Sequence, residues 1–185
     1  MLAALGLEFS ILPPREAESV PAASDAPVAY ASSMALLKAA SVSGWAREVD
    51  AVVGADTVVY ASGRILGKPR DAAGALEMLR LLNGGTHEVI SAAVITRPGH
   101  SPLTIAERTR VSFALWPEAV LRAYVETGES ADKAGSYAAQ GIGSFLVRSL
   151  DGSLDNVIGL PLDRLVAALL QEKIIAVSCP ESGYV

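Results

Sequence analysis

The chain has 185 residues, enough for one domain or for two small lobes around one cleft, and 51% of them are hydrophobic, so a sizeable core is available. Net charge is −5 with no cluster of Lys or Arg, which argues against nucleic-acid polymers as partners and leaves room for a small anionic ligand neutralised locally. No apolar run approaches a membrane span, no basic segment precedes an apolar stretch at the start, and the single Cys179 permits neither an internal disulfide nor a Cys-based zinc site; the expectation is a protein of the reducing cytoplasm without a membrane partner.

In chain order, residues 1–5 read as the end of a helix stopped by Gly6, 8–12 as a strand, and 13–27 as a long Pro- and Ala-rich loop. Residues 29–42 read as a helix, with Pro27 near its first turn and Gly44 after it. Residues 51–68 read as a hairpin turning at 61–63. Asp71 is a good N-cap for a helix over 72–82, which Gly84 and Gly85 end. Residues 88–96 and 104–115 read as strands around the turn residues Pro98 and Gly99. Pro117 opens a helix through Tyr124 that closes at Gly128. Residues 144–150 read as a strand, Asp151 and Gly152 as a turn, and Pro161 starts a last helix through Lys173. His87 is expected to begin a strand and His100 to lie in a loop, with a spacing that suits no helical metal site. Hairpins interspersed with helices predict a single α/β domain over 1–185 with a mixed sheet and an irregular tail at 174–185.

Two constellations carry chemistry. The first is Gly54-Ala55-Asp56-Thr57-Val58-Val59, answered by Gly67-Lys68-Pro69. Asp56 falls inside a run that otherwise reads as a buried strand, and a buried charge needs a partner, a metal or a changed protonation state. A hairpin symmetric about Ser62 sets position 56 opposite position 68, so Lys68 is the expected partner. An acid and a base at the end of an apolar hairpin suit phosphate and metal chemistry; a structural ion pair is the competing reading.

The second is residues 128–143, GESADKAGSYAAQGIG, where Glu129, Asp132, Lys133, Tyr137 and Gln140 alternate with four glycines. Glycine lets backbone approach a ligand, exposed amides cradle an oxyanion, Lys133 can neutralise phosphate, and Gln140 offers a donor and acceptors to a base edge. A solvated flexible loop is the competing reading. Asn156, before the last helix, is placed to reach the cleft.

GADTVV, ILGKPRD, MLRLLNGGTHEV, DKAGSYAAQG and NVIGLPL occur in the order seen in Maf-type nucleotide pyrophosphatases, and the chain resembles that family over residues 1–170. The resemblance implies an elongated two-lobed α/β fold with a mixed central sheet and a cleft between the lobes. It implies hydrolysis of a nucleoside triphosphate between the α and β phosphates with a divalent cation, Mg²⁺ or Mn²⁺. Asp56 matches the family's proton acceptor, Lys68 the phosphate-facing Lys of its Gly-Lys-Pro element, and Lys133 the Lys of its Asp-Lys-Ala-Gly element. Glu18, or alternatively Glu16, matches a Glu near the metal, so the implied metal ligands are Asp56 and Glu18. Thr57 and Gln140 match the branch acting on dTTP and UTP, modified pyrimidine nucleotides included. The branch acting on 7-methyl-GTP has Gln after the catalytic Asp and Glu where Gln140 stands. The family's Ser-x-Ser-x-Arg-Arg phosphate loop precedes the point corresponding to Met1, which keeps open an upstream start or a shortened copy acting as a nucleotide-binding regulator. Ala138 and Ala139 stand where the family often has Gly-Ile. A homodimer is left open.

Overall fold

The computed structural model describes residues 1–14, 26–44 and 51–177. Five strands form one sheet: β1 Val52–Ala61, β2 Arg64–Leu66, β3 Thr86–Thr96, β4 Leu103–Phe113 and β5 Val147–Asp151, in the spatial order β2-β1-β3-β4-β5. The helices are α1 Pro27–Ser43, α2 Ala72–Leu82, α3 Glu118–Glu126, α4 Leu154–Ile158 and α5 Leu162–Gln171.

The α/β architecture agrees with the sequence reading, whereas the strand directions differ from it. Every strand pairing among the described residues is antiparallel. The expectation of a mixed sheet came from hairpins interspersed with helices, as in the run β2–α2–β3. Those two strands do point the same way, but they flank β1 on opposite sides and never pair.

The hairpin register also departs from the expected one. Val59 pairs with Leu66 and Ala61 with Arg64, so the axis falls between Ser62 and Gly63, not on Ser62. Both turn residues have positive φ, 51° and 77°, the two-residue geometry whose twist matches that of the flanking strands. β2 ends at Leu66, so Lys68 is no ladder partner of Asp56. Beyond Val59, among the described residues, no strand pairs with β1 on the β2 side.

Strand alternation divides the core between the two faces of the sheet. Val58, Ile90, Ala92 and Val94 point to one face and pack on Ala31 and Ala35 of α1. This approach is close because it is built from small residues. A Cβ on Gly54 would lie 2.2 Å from the Ala35 carbonyl oxygen and 2.6 Å from the Ala39 nitrogen. The opposite face carries two clusters. Val59, Val89 and Val111 pack with Leu79, Leu82, Leu121 and Tyr124 from α2 and α3. At the other end Ala93 and Ile95 pack with Leu165 and Leu169 of α5. The two clusters occupy opposite ends of this face.

Local chemistry accounts for most boundaries. Asp71 caps α2 by accepting from the Gly74 amide at 2.8 Å. Gly6 stops a short 3₁₀ turn, Leu2–Leu5, with φ 73°. The expected strand at 8–12 is absent: those residues have no regular structure, and Ile11 is 84% exposed. They find no partner ladder among the described strands, and isolated strand propensity does not hold an extended segment. The strand expected from residue 144 begins at Val147, because Ile142–Leu146 forms a 3₁₀ turn. In the expected tail, residues 174–177 are irregular, with Ile174 and Ile175 packed on the α5 cluster. Glu16, Glu18, most of the long loop and Cys179 lie outside the described residues.

Candidate active site

A cavity of about 230 Å³ opens against the part of β1 that β2 leaves uncovered. Its wall includes Asp56 and Thr57 from β1, Gly67 and Lys68 after β2, Asp132 and Lys133 before the 3₁₀ turn Ala134–Ser136, and Gly159 after α4. Four of the residues singled out from sequence, Asp56, Thr57, Lys68 and Lys133, are therefore brought together. Gln140 is exposed and lies outside this wall. Glu18 lies outside the described residues.

The cation beside Asp56 is not the expected one. Lys38 of α1 donates to Asp56 Oδ1 at 2.5 Å, with Asp56 only 9% exposed. The reason is geometric. Asp56 points to the α1 face two residues beyond Gly54, and Gly54 lets α1 lie directly on the strand. Lys38 is the single charged residue of α1, whose other residues are alanine, serine and aliphatic side chains with Pro27, Tyr30 and Met34. That isolation was the signal available in the sequence. Lys68 stands across the same cavity, where its charge helps to hold the Asp132 carboxyl low.

Backbone contacts draw the second constellation to the first. The Gly135 amide donates to the Gly67 carbonyl at 3.0 Å, tying the Lys133 segment to the Lys68 segment. Gly135 has φ 66°, and a Cβ there would meet Val59 Cγ2 at 2.8 Å, so glycine is required twice over. Glu129 faces its own loop instead of the cavity. Its carboxylate accepts from the amides of Ile142 at 2.9 Å and Gly143 at 2.7 Å. Tyr124 OH accepts from the Ala138 amide at 3.1 Å. Lys133 donates to the neighbouring Asp132, and this bond, opposed by slight burial, keeps the Asp132 carboxyl below its ordinary value.

Behind the wall lies a neutral hydrogen-bond network. Thr57 Oγ1 and Ser91 Oγ are 2.7 Å apart, and Ser91 Oγ donates to the Asn156 carbonyl at 2.7 Å. Asn156 is fully buried and does not reach the cleft as expected. Its side chain accepts from Ser91 N and donates to the Val89 carbonyl and to Thr109 Oγ1. Thus Asn156 fastens α4 to the sheet and sets Gly159 on the cavity wall. Tyr137, also on the wall, has its hydroxyl 2.8 Å from His87 Nε2. Burial lowers the His87 pKa to about 4, so the ring is neutral at pH 7. His87 does lie at the start of a strand.

Three ammonium groups, Lys38, Lys68 and Lys133, therefore face two carboxylates, Asp56 and Asp132, around one cavity. Such a set suits a polyanion bearing several phosphoryl oxygens. Among the described residues no group of three or more His, Cys, Asp or Glu is placed to enclose a metal ion. One or two wall carboxylates do fit Mg²⁺, which keeps waters and takes its remaining ligands from one or two carboxylates and substrate phosphates.

A family model described as Maf-like protein matches residues 1–172. A dTTP/UTP pyrophosphatase of Oleidesulfovibrio alaskensis is 44% identical over 179 residues, covering 96% of this chain and 81% of the relative. One of Nitratidesulfovibrio vulgaris is 44% identical over 176 residues, covering 95% and 83%. One of Alcanivorax borkumensis is 41% identical over 169 residues, covering 91% and 87%.

Proposed function

The chain belongs to the Maf family, and on that premise we propose that it hydrolyses dTTP and UTP to the monophosphate and pyrophosphate. The observation that carries this reading is the convergence of Asp56, Thr57, Lys38, Lys68 and Lys133 on one cavity. Names shared with relatives support the substrate class; the geometry supports the assignment of roles.

Asp56 is the proton acceptor. It takes a proton from water as the water oxygen bonds to phosphorus, the α–β anhydride bond breaks and pyrophosphate departs. The Lys38 ammonium holds the carboxylate in place. Lys68 and Lys133, both on the cavity wall, compensate the charge of the triphosphate. A divalent cation, Mg²⁺ or Mn²⁺, would be held by Asp56 and by Glu18, and it supplies charge stabilisation of the phosphoryl oxygens when bound. Thr57 in the wall and Gln140 in the segment 128–143 are the base-reading pair, with Thr57 carrying the larger share because it faces the cavity.

The test is pyrophosphate release from a nucleotide panel with Mg²⁺, on this chain and on Asp56→Asn. Release from dTTP and UTP above other nucleotides is expected, with loss of about a thousandfold or more in the variant. Near-normal turnover by Asp56→Asn would leave Asp56 as a structural ion-pair residue.

A further inference from the structure

Serine has one hydroxyl proton to give. Ser91 is fully buried, and its Oγ lies 2.7 Å from the Asn156 backbone carbonyl, an atom that can only accept. Its proton is committed there. The contact between Ser91 Oγ and Thr57 Oγ1, also 2.7 Å, then needs its proton from Thr57. Thr57 has one proton as well, and it is spent inward. What Thr57 shows to the cavity is a pair of lone pairs and no donor.

We infer that Ser91, anchored by the Asn156 carbonyl, is a positioning residue that fixes the Thr57 hydroxyl as a hydrogen-bond acceptor, so that the cavity selects a base presenting an N–H there and rejects one presenting a bare ring nitrogen. The inference deepens the proposed function and rests on a pyrimidine nucleotide occupying this cavity. Uracil and thymine carry a proton on N3; cytosine has an unprotonated N3 at the same place, and two acceptors would face each other. On the α4 side the residue beside the hydroxyl is a glycine. Gly159 borders it, and a Cβ at that position would stand 3.6 Å from Thr57 Oγ1. Gly159 has φ 134°, a conformation that L side chains rarely adopt, so the position stays clear. The orientation of the relay is itself rigid. The Asn156 side chain holds Ser91 N and the Val89 carbonyl, two residues apart on β3, which locks the carbonyl that takes the Ser91 proton.

The test is the ratio of kcat/KM for dTTP to that for dCTP, measured on the full chain and on Ser91→Ala, Thr57→Ser and Thr57→Val. Ser91→Ala frees the Thr57 proton to turn toward the ligand, so the ratio should fall about tenfold. Thr57→Ser keeps the relayed hydroxyl and should hold the ratio within about twofold, while Thr57→Val should lower it. Adding Ser91→Ala to Thr57→Val should then change nothing further. A merely structural role would lower turnover of both nucleotides by one factor and leave the ratio alone; that result overturns the inference. So does a Ser91→Ala effect that persists in the Thr57→Val background. If Ser91→Ala does not fold, equal ratios for Thr57→Ser and Thr57→Val overturn it. Absence of pyrophosphate release from dTTP by the unaltered chain defeats the proposed reaction instead. The selectivity is then read as calorimetric affinity for dTMP against dCMP across the same variants, with the same tenfold criterion, and no preference there defeats this inference too.

Discussion

Asp56 and Thr57 are adjacent in one strand, yet they belong to opposite faces of the sheet and to two different kinds of environment. Asp56 looks toward α1, where the close approach allowed by Gly54 delivers a single ammonium group. Thr57 looks toward α4, where uncharged hydroxyl, amide and carbonyl groups are linked in a buried chain. One side is built from charge and short-range attraction, the other from hydrogen-bond direction. The strand period of two is what separates them, and the uncovered edge of β1 is what lets both reach one cavity. The general lesson is that a single dipeptide can present a charged and a neutral hydrogen-bonding environment to one cavity without any domain boundary between them.

The comparison breaks most visibly if the neutral side is cut at its anchor. Asn156→Ala removes three buried side-chain hydrogen bonds and leaves Ser91 N and the Val89 carbonyl without them. A loss of about 3 kcal/mol is expected, read as a lower urea midpoint with an unchanged slope. A shift below about 1 kcal/mol would mean that water replaces the side chain and that α4 is not held this way.

Cutting the charged side should act on rate before stability. Lys38→Met keeps the length and apolar stem of the side chain and removes the ammonium group. Turnover of dTTP should fall about a hundredfold. A rate within about threefold of the parent, by the same scale, would return Lys38 to packing and leave Lys68 as the principal cation.

Acid should weaken the neutral side by way of His87. Its folded pKa of about 4 lies below the ordinary 6.5, so between those values the unfolded chain binds a proton that the folded one refuses. Stability attributable to His87 is therefore full above pH 6.5 and is lost as pH falls toward 4. Between pH 7 and 5 the loss is about 2 kcal/mol by linkage. Chemical denaturation at several pH values measures it, and His87→Phe should flatten this part of the profile. An unchanged slope in the variant would assign the acid sensitivity to carboxylates.

The smallest effect concerns base preference. Thr57→Gln should shift relative activity away from dTTP and UTP by about tenfold, and Gln140→Glu alone by no more than about twofold. Equal shifts for the two would show that the exposed loop carrying Gln140 reads the base as closely as the wall does.

How much of this was legible in the sequence follows from the range of the forces involved. The α2 cap at Asp71 and the stops at Gly6 and Gly128 depend on neighbours a few residues away, and they fall where expected. Asp56, Thr57, Lys68 and Lys133 were identifiable as residue types at a spacing, and they do share a cavity. The partner of Asp56 was not, because a one-residue difference in turn length moves the register and because β2 stops short of Lys68. Lys38 needed the closeness of helix and strand, although its isolation as the single charge in α1 pointed to a special role. Ser91 and Asn156 each sit in runs that read as core and cleft respectively. Their roles arise from a short helix, α4, whose five residues show no periodicity to detect.

One feature of the Lys133 loop bears on how a ligand arrives. Glu129 holds the Ile142 and Gly143 amides, Tyr124 holds the Ala138 amide, and Gly135 is bound to the Gly67 carbonyl. Freezing one residue's backbone costs about 1–2 kcal/mol in conformational entropy. Here much of that ordering is complete when the chain folds, before any nucleotide is present. Lys133 is thus presented on a stiff support, and engaging a ligand there needs a side-chain rotation with no ordering of its own loop. Encounter is then governed by diffusion and by the pull of the three ammonium groups, so the association rate should respond strongly to ionic strength and only weakly to solvent viscosity beyond its effect on diffusion.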